Sequence, residues 1–339
     1  MKKLKTLLIS AVFALGVTSI SGTANACGKL VIAEQNWASA ELMANVDKII
    51  LEEGYGCDVE LVPGATMPTF TSMNDKGTPD MNPEQWANAV YTPLKKAVSE
   101  KRLIIANQAP ITGLGEGWWI NPAAIEKYPQ IKNMTAMEIL EHPEWFPSKE
   151  DASKGGFMGC PAGWGCQLAN ANLYRAFDME KKGWVLLDPG SAAGLDGSIA
   201  KAADSNEPWI GYYWNPTSMV GKYNLQQLDF GVPFAGRDNW DNCITLAEQD
   251  CADPKPTAWT KSEVNSIVSA NFAKTGGKDV LGYVEKRTYP GTVMNGMLVF
   301  MADNQAKGSD AAVEFLIKHE DIWTKWVSSS AAKKIKKSL

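Results

Sequence analysis

Residues 159–166, GCPAGWGC, set Trp164 between Gly163 and Gly165 and bracket it with Cys160 and Cys166. Glycines supply no packing atoms, so a core indole gains little from them, whereas a ligand platform gains from close backbone approach. A disulfide closing so short a loop stabilises by only about 2.4 kcal/mol on the chain-entropy formula, less than a longer loop would. Fixing one indole face, and aiming the amides of Gly165 and Cys166 at a ligand, is the better reason for the noose. Preorganised rings and amides reduce the ordering cost of binding.

Thirteen tryptophans are present, and several stand in polar or glycine-rich stretches. Trp37 follows AEQN, Trp86 ends DMNPEQW, Trp118 and Trp119 follow GLGEG, and Trp214 ends GYYW. Trp86, Trp164 and Trp214 read as ligand contacts. Trp145, Trp184, Trp209, Trp240, Trp259, Trp323 and Trp326 read as core anchors, the usual role of aromatic side chains. Clustered indoles suit one chemistry in particular. A quaternary ammonium has no N–H to donate, so a hydrogen-bonding site offers it nothing, while indole faces attract its diffuse charge and bury its methyls. A carboxylate at the ligand's other end would rest on the noose amides, as backbone nests hold anions.

Other chemistries lack their residues. The two histidines are His142, beside a proline in EHPEW, and His319, on a charged stretch KHEDIW; both read as surface residues. There is no H-E-x-x-H, G-x-S-x-G or phosphate-binding loop, and the triple glycine of residues 113–117 lacks dinucleotide spacing. No metal site and no cofactor is expected. An enzyme, such as a lyase or demethylase of the same solutes, would need an acid or base in the cleft, and only Glu116 or Glu84 is placed for it.

The elements that must position these residues alternate between strand and helix. KLVIA (29–33) and DVELV (58–62) read as strands separated by a helix with Leu42, Val46 and Ile49 or Ile50 on one face. Alternation at this spacing predicts α/β lobes with open, mostly parallel sheets and helices on both faces. In such sheets the ligand crevice lies outside the carboxyl ends of the strands, where most of these tryptophans fall. Residues 27–117 are read as the first part of lobe I, 118–228 as lobe II, and 229–339 as a largely helical return to lobe I. The two crossings form a hinge, and the ligand sits in the cleft between lobes.

Residues 1–26 carry Lys2, Lys3 and Lys5, an apolar run and a small-residue end at Ala24-Asn25-Ala26, the pattern of a cleaved secretory signal. A cysteine at position 27 also raises a lipoprotein reading, although Ala24 and Asn25 fit its motif poorly. Periplasmic export is the expectation. Removing the signal leaves 30 basic against 38 acidic side chains, which speaks against a nucleic-acid partner. Six cysteines in an exported chain imply three disulfides, and 15 pairings are open. Cys160 with Cys166 and Cys243 with Cys251 are natural local pairs, leaving Cys27 with Cys57 at the starts of two neighbouring strands.

Taken together, DMNPEQW, GCPAGWGC, GYYWNP and a helical end with IWTKWV resemble the substrate-binding proteins of ABC importers for glycine betaine and related compatible solutes, the ProX and OpuAC-like group. The resemblance spans essentially the whole mature chain. It implies the two-lobed type II periplasmic binding-protein fold, a monomer that delivers an osmoprotectant to a membrane permease, and a box of Trp86, Trp164 and Trp214 around a trimethylammonium head. It also implies that the amides of Gly165 and Cys166 hold a carboxylate. Some relatives place a histidine a few residues after the first box tryptophan; here that stretch is Trp86-Ala87-Asn88-Ala89-Val90. Glycine betaine leads as ligand, and the departure raises choline, trimethylamine N-oxide and dimethylsulfoniopropionate. Proline or ectoine is a third alternative. Trp37, Trp119 and Glu116 are candidates for extra contacts, Glu116 equally for a hinge surface.

Overall fold

The computed structural model describes residues 27–339, so residues 1–26, expected from sequence to be a signal peptide, lie outside the described residues. Two five-stranded sheets organise the chain. The first contains β1 (Lys29–Gln35), β2 (Asp58–Gly64), β3 (Met81–Trp86) and β4 (Leu103–Asn107). The second contains β5 (Gly115–Ile120), β6 (Gly155–Met158), β7 (Trp184–Leu187), β8 (Ile210–Asn215) and β9 (Gln226–Gln227), after which β10 (Val264–Ser269) rejoins the first. The strand orders are β2-β1-β3-β10-β4 and β7-β6-β8-β5-β9.

β1 and β2 run parallel with Lys29 opposite Asp58, and the Cys27–Cys57 disulfide staples the residues just before them. That pairing commits the Cys27 sulfur and leaves no thiol there for acylation. The other two bridges, Cys160–Cys166 and Cys243–Cys251, form as the spacing indicated.

The sheets are mixed rather than mostly parallel. β5 runs antiparallel to β8 and β9, and β10 antiparallel to β3 and β4. These are the first strands after each crossing between lobes. Neither arrives through a helical crossover within its own sheet, so the right-handed parallel rule does not bind it.

Three sequence expectations shift. MNPEQW, polar and carrying a proline, is nonetheless strand β3, buried along its whole length, and VNSIVS, inside a stretch read as helical, is the interior strand β10 between β3 and β4. Both carry polar residues whose partners are tertiary: Ser266 Oγ donates to the Pro83 carbonyl and accepts from Arg287. Buried polar groups need such partners, and no local pattern announces them. The third shift concerns the return to lobe I, which comes after residue 229. Phe230 lies 4.7 Å from Trp118, Trp259 lies 5.4 Å from Tyr212, and Asn172 donates to the carbonyls of Cys243, Ile244 and Leu246. Residues 229–259 therefore pack largely with the second sheet, while Trp240 Nε1 donates to the Asn88 carbonyl and Arg237 lies over the Tyr91 ring of the first lobe.

Behind the first sheet, Leu42, Met43 and Val46 of the helix Ala38–Ile49 join Phe315 and Leu316 of the helix Gly308–Lys318 in one apolar cluster. Trp323 and Trp326 complete it, with Trp326 5.0 Å from Tyr289. Among the described residues no helix is long and apolar enough to cross a membrane.

Candidate functional site

The carboxyl ends of four strands face one cleft. Trp37 follows β1 and caps the helix Ala38–Ile49, Trp86 ends β3, Trp164 sits in the noose after β6, and Trp214 lies near the end of β8. All four are buried and line a single cavity with Tyr212 and Glu116. Its empty space is about 310 Å³, part of it open to solvent.

Trp164 stands between an indole from each lobe. Its ring is edge-on to Trp37 at 5.2 Å and to Trp214 at 5.1 Å. Its indole N–H crosses the cleft to Asn36 Oδ1 at 2.8 Å, and nearby the Met67 amide donates to the Gly163 carbonyl at 3.0 Å. The lobes are thus in contact around the cavity.

The noose is built by two different uses of glycine. Gly163 adopts φ +84°, the left-handed region open to glycine. Gly165 begins the helix Gly165–Ala176, and a methyl placed there would lie 2.1 Å from Ala89 Cβ of the opposite lobe. Gly165 is therefore required by close approach between lobes. Gly165 and Cys166 form the first turn of that helix and line the cavity, and their amides donate to no protein acceptor among the described residues. Free amides at a helix N-terminus carry partial positive charge and favour an anion.

Two carboxyl groups adjoin the cage. Glu116 accepts from the Tyr212 hydroxyl at 2.8 Å and from Asn88 Nδ2 at 2.7 Å. Burial raises its carboxyl above the ordinary range, against the pull of the Asn88 and Tyr212 bonds. The Tyr212 hydroxyl is held well above its own ordinary value by burial and by Glu116, so it stays a donor. Glu84, at the N–H edges of two rings, accepts through Oε1 from Trp37 Nε1 at 2.8 Å, Trp86 Nε1 at 3.1 Å and Ser39 Oγ at 3.1 Å. Burial pushes its carboxyl up to about 7, although the bonds from Trp37, Ser39 and Trp86 and the charge of Arg287 pull the other way.

With this geometry in view, the sequence profile of the OpuAC family, described as the substrate binding domain of ABC-type glycine betaine transport systems, matches residues 28–318. The chain belongs to the OpuAC family. A curated relative, the glycine betaine/proline betaine-binding periplasmic protein of Salmonella typhimurium, is 27% identical over 127 residues, and that stretch spans 37% of this chain and 37% of the relative. Among solved structures, the glycine betaine and L-proline-binding protein ProX from Borrelia burgdorferi aligns with a TM-score of 0.70 at 16% identity, over 91% of this chain and 99% of that one. An ABC-transporter choline-binding protein in complex with choline aligns with a TM-score of 0.68 at 17% identity, over 92% and 98%. At these identities the structural likeness speaks for the fold.

Of the residues singled out by sequence in this OpuAC-family chain, Trp37, Trp86, Trp164, Trp214, Gly165, Cys166 and Glu116 border one cavity. Trp119 does not. Alternation along β5 sends Glu116 and Trp118 to one face of the strand and Trp119 to the other; Trp118 packs among Phe157, Phe177 and Phe230. Tyr212, Thr66 and Ala89 also line the cavity, and sequence reasoning did not select them. Tyr212 carried a signal, two residues before Trp214 on the same face of a strand. Glu84 entered the sequence reading only as a possible acid, and its bonds to two indoles were not visible there. The histidines stay outside: His142 stacks on Trp145 at 3.8 Å and His319 packs near Phe315.

Proposed function

We propose that this protein is the periplasmic substrate-binding protein of an ABC importer, closing on a small methylated onium solute and delivering it to a membrane permease. The observation that carries this reading is the convergence of Trp37 and Trp86 from one lobe with Trp164 and Trp214 from the other on a single cavity. Each indole contributes about 0.5–1 kcal/mol toward an exposed cation and about 2 kcal/mol toward a desolvated one. Four desolvated rings therefore supply up to about 8 kcal/mol, the scale of a micromolar dissociation constant before ordering costs and other contacts. Ammonium and sodium ions lose strongly held water on entering such a cage and regain little.

Glycine betaine is the leading ligand, its trimethylammonium among the indoles and its carboxylate on the Gly165 and Cys166 amides. A second reading rests on Glu116, whose carboxyl borders the same cavity. Ionised, it repels a ligand carboxylate and accepts from a ligand hydroxyl; neutral, it donates to an oxide without excluding a carboxylate. It thereby favours choline or trimethylamine N-oxide, which carry a hydroxyl or an oxide and no carboxylate.

Tryptophan-fluorescence titration against glycine betaine, choline, trimethylamine N-oxide, dimethylsulfoniopropionate, proline and ectoine tests the reading. Micromolar binding of at least one methylated onium, and weak binding of proline and ectoine, is the expected outcome. Failure of every onium to bind refutes it. Recovery of unaltered ligand after long incubation separates a carrier from a lyase or demethylase.

A further inference from the structure

We propose that Glu84 is a positioning residue for the first lobe's half of the cage, one carboxylate oxygen tethering Trp37 and Trp86 while its negative charge, held at the N–H edges of both rings, strengthens their attraction for a cation. The proposal rests on reading the cage as an onium site.

Glu84 does not border the cavity; it is 1% exposed, on β3, and meets both indoles at their N–H edges, away from the cavity. Oε1 takes both indole N–H groups and the Ser39 hydroxyl, while Oε2 is buried without a hydrogen-bond partner. A neutral acceptor would tether two N–H donors equally well. A buried carboxyl with an orphan oxygen is expensive, so the charge itself calls for a reason.

That charge has no direct partner. Among the described residues Glu84 forms no salt bridge, and the nearest cation is committed elsewhere: Arg287 Nε lies 3.0 Å from Asp47 Oδ1, and its Nη2 donates to Ser266 Oγ and the Pro83 carbonyl. The titratable groups around this side of Glu84 are Arg287 with its neighbours Asp47, Tyr283 and Tyr289, and Glu116 borders the cavity in front. An indole whose N–H donates to a carboxylate is polarised, with electron density moved toward the ring face. Cation–π attraction grows with the negative potential of that face. A ligand cation in front of Trp37 and Trp86 therefore gains from the charge held at their N–H edges.

The test uses tetramethylammonium, which has neither a titratable group nor a hydrogen-bonding group, so any pH dependence belongs to the protein. Calorimetry at pH 8 and pH 6 compares the wild type with Glu84→Gln and Glu116→Gln. Glu84→Gln keeps an acceptor for the indoles but not the charge. It is expected to bind about tenfold more weakly at pH 8, the loss of one charge-assisted interaction. The wild type is expected to lose affinity on moving to pH 6, as Glu84 takes up a proton; Glu84→Gln should be flat, and Glu116→Gln should keep the wild-type slope. Equal affinity of Glu84→Gln and wild type at pH 8 overturns the proposal, as does a slope that vanishes in Glu116→Gln. The wild-type slope set beside that of Glu116→Gln needs no folded Glu84 variant. A wild type that binds no onium, neither tetramethylammonium nor any of glycine betaine, choline, trimethylamine N-oxide and dimethylsulfoniopropionate, overturns the onium cage itself, an outcome distinct from a cage that binds an onium without help from Glu84.

Discussion

Closure of the two lobes should be switchable by a single methyl group at Gly165. A side-chain carbon there sits 2.1 Å from Ala89 Cβ across the cleft, against an ordinary carbon–carbon contact of about 3.5–4.0 Å. In Gly165→Ala the lobes must stop about 1.4 Å short of their present approach at this point. The Asn36–Trp164 bond at 2.8 Å and the Met67–Gly163 bond at 3.0 Å flank the collision, and stretching either by that much breaks it. Two lost hydrogen bonds at about 1 kcal/mol each, with about 1 kcal/mol of ring contact, come to about 3 kcal/mol, or more than a hundredfold in affinity. The folded state should not suffer, because an open cleft relieves the clash and alanine is a better helix former than glycine. Calorimetry with glycine betaine and a thermal melt of the ligand-free protein give the two readouts: affinity falls and the melting temperature holds or rises slightly. Ala89→Gly in the same chain should restore binding, since the added methyl is 3.4 Å from Ala89 Cα. Wild-type affinity in Gly165→Ala, or a double variant as weak as the single one, would refute the reasoning.

Other perturbations separate site from scaffold. Trp164→Ala should abolish measurable binding of glycine betaine while circular dichroism remains native; unchanged affinity in calorimetry would remove Trp164 from the cage. Replacing Cys160 and Cys166 with serine should weaken binding by more than it lowers the melting temperature, and the reverse ranking would make the noose a stability device. The pH dependence of folding should oppose that of cation binding. Burial raises the Glu84 carboxyl from 4.5 to about 7, so the native state holds a proton that the unfolded chain releases first, and stability falls as pH rises through that window. The loss from Glu84 alone is at most about 3 kcal/mol between pH 4.5 and 7. Asp47, raised by burial against the pull of Arg287 and the Tyr283 hydroxyl, acts in the same direction. Urea titrations of the ligand-free protein at pH 5.5 and pH 8, with Glu84→Gln reducing the difference, check the sign.

Much of this arrangement was legible in the chain because its signals are short-ranged. Cysteine spacing indicated the three bridges, and glycine beside tryptophan marked the noose. Trp37, directly after the strand-like run KLVIA, falls at the carboxyl end of a strand as read from sequence, and polar or glycine-rich settings marked Trp86, Trp164 and Trp214 as ligand contacts. What escaped depends on partners far away in sequence. Asn82, Glu84 and Gln85 make β3 look like a loop, yet all three are buried, with Glu84 meeting its donors from Trp37 and Ser39 more than 40 positions away. β10 escaped for the same reason. Gly165 reads in sequence as a place where a ligand comes close to the backbone; the body that the fold brings to it is Ala89 of the opposite lobe.

The Trp37–Trp164 pair, 5.2 Å apart and nearly perpendicular, joins side chains from different lobes and exists only while the cleft is shut. Two indole transitions at that range couple, so closing and opening should write a signed doublet into the circular dichroism spectrum, over a constant contribution from the Trp164–Trp214 pair, which lies within one lobe. The molecule carries its own optical gauge of domain motion, readable without dye, label or engineered cysteine.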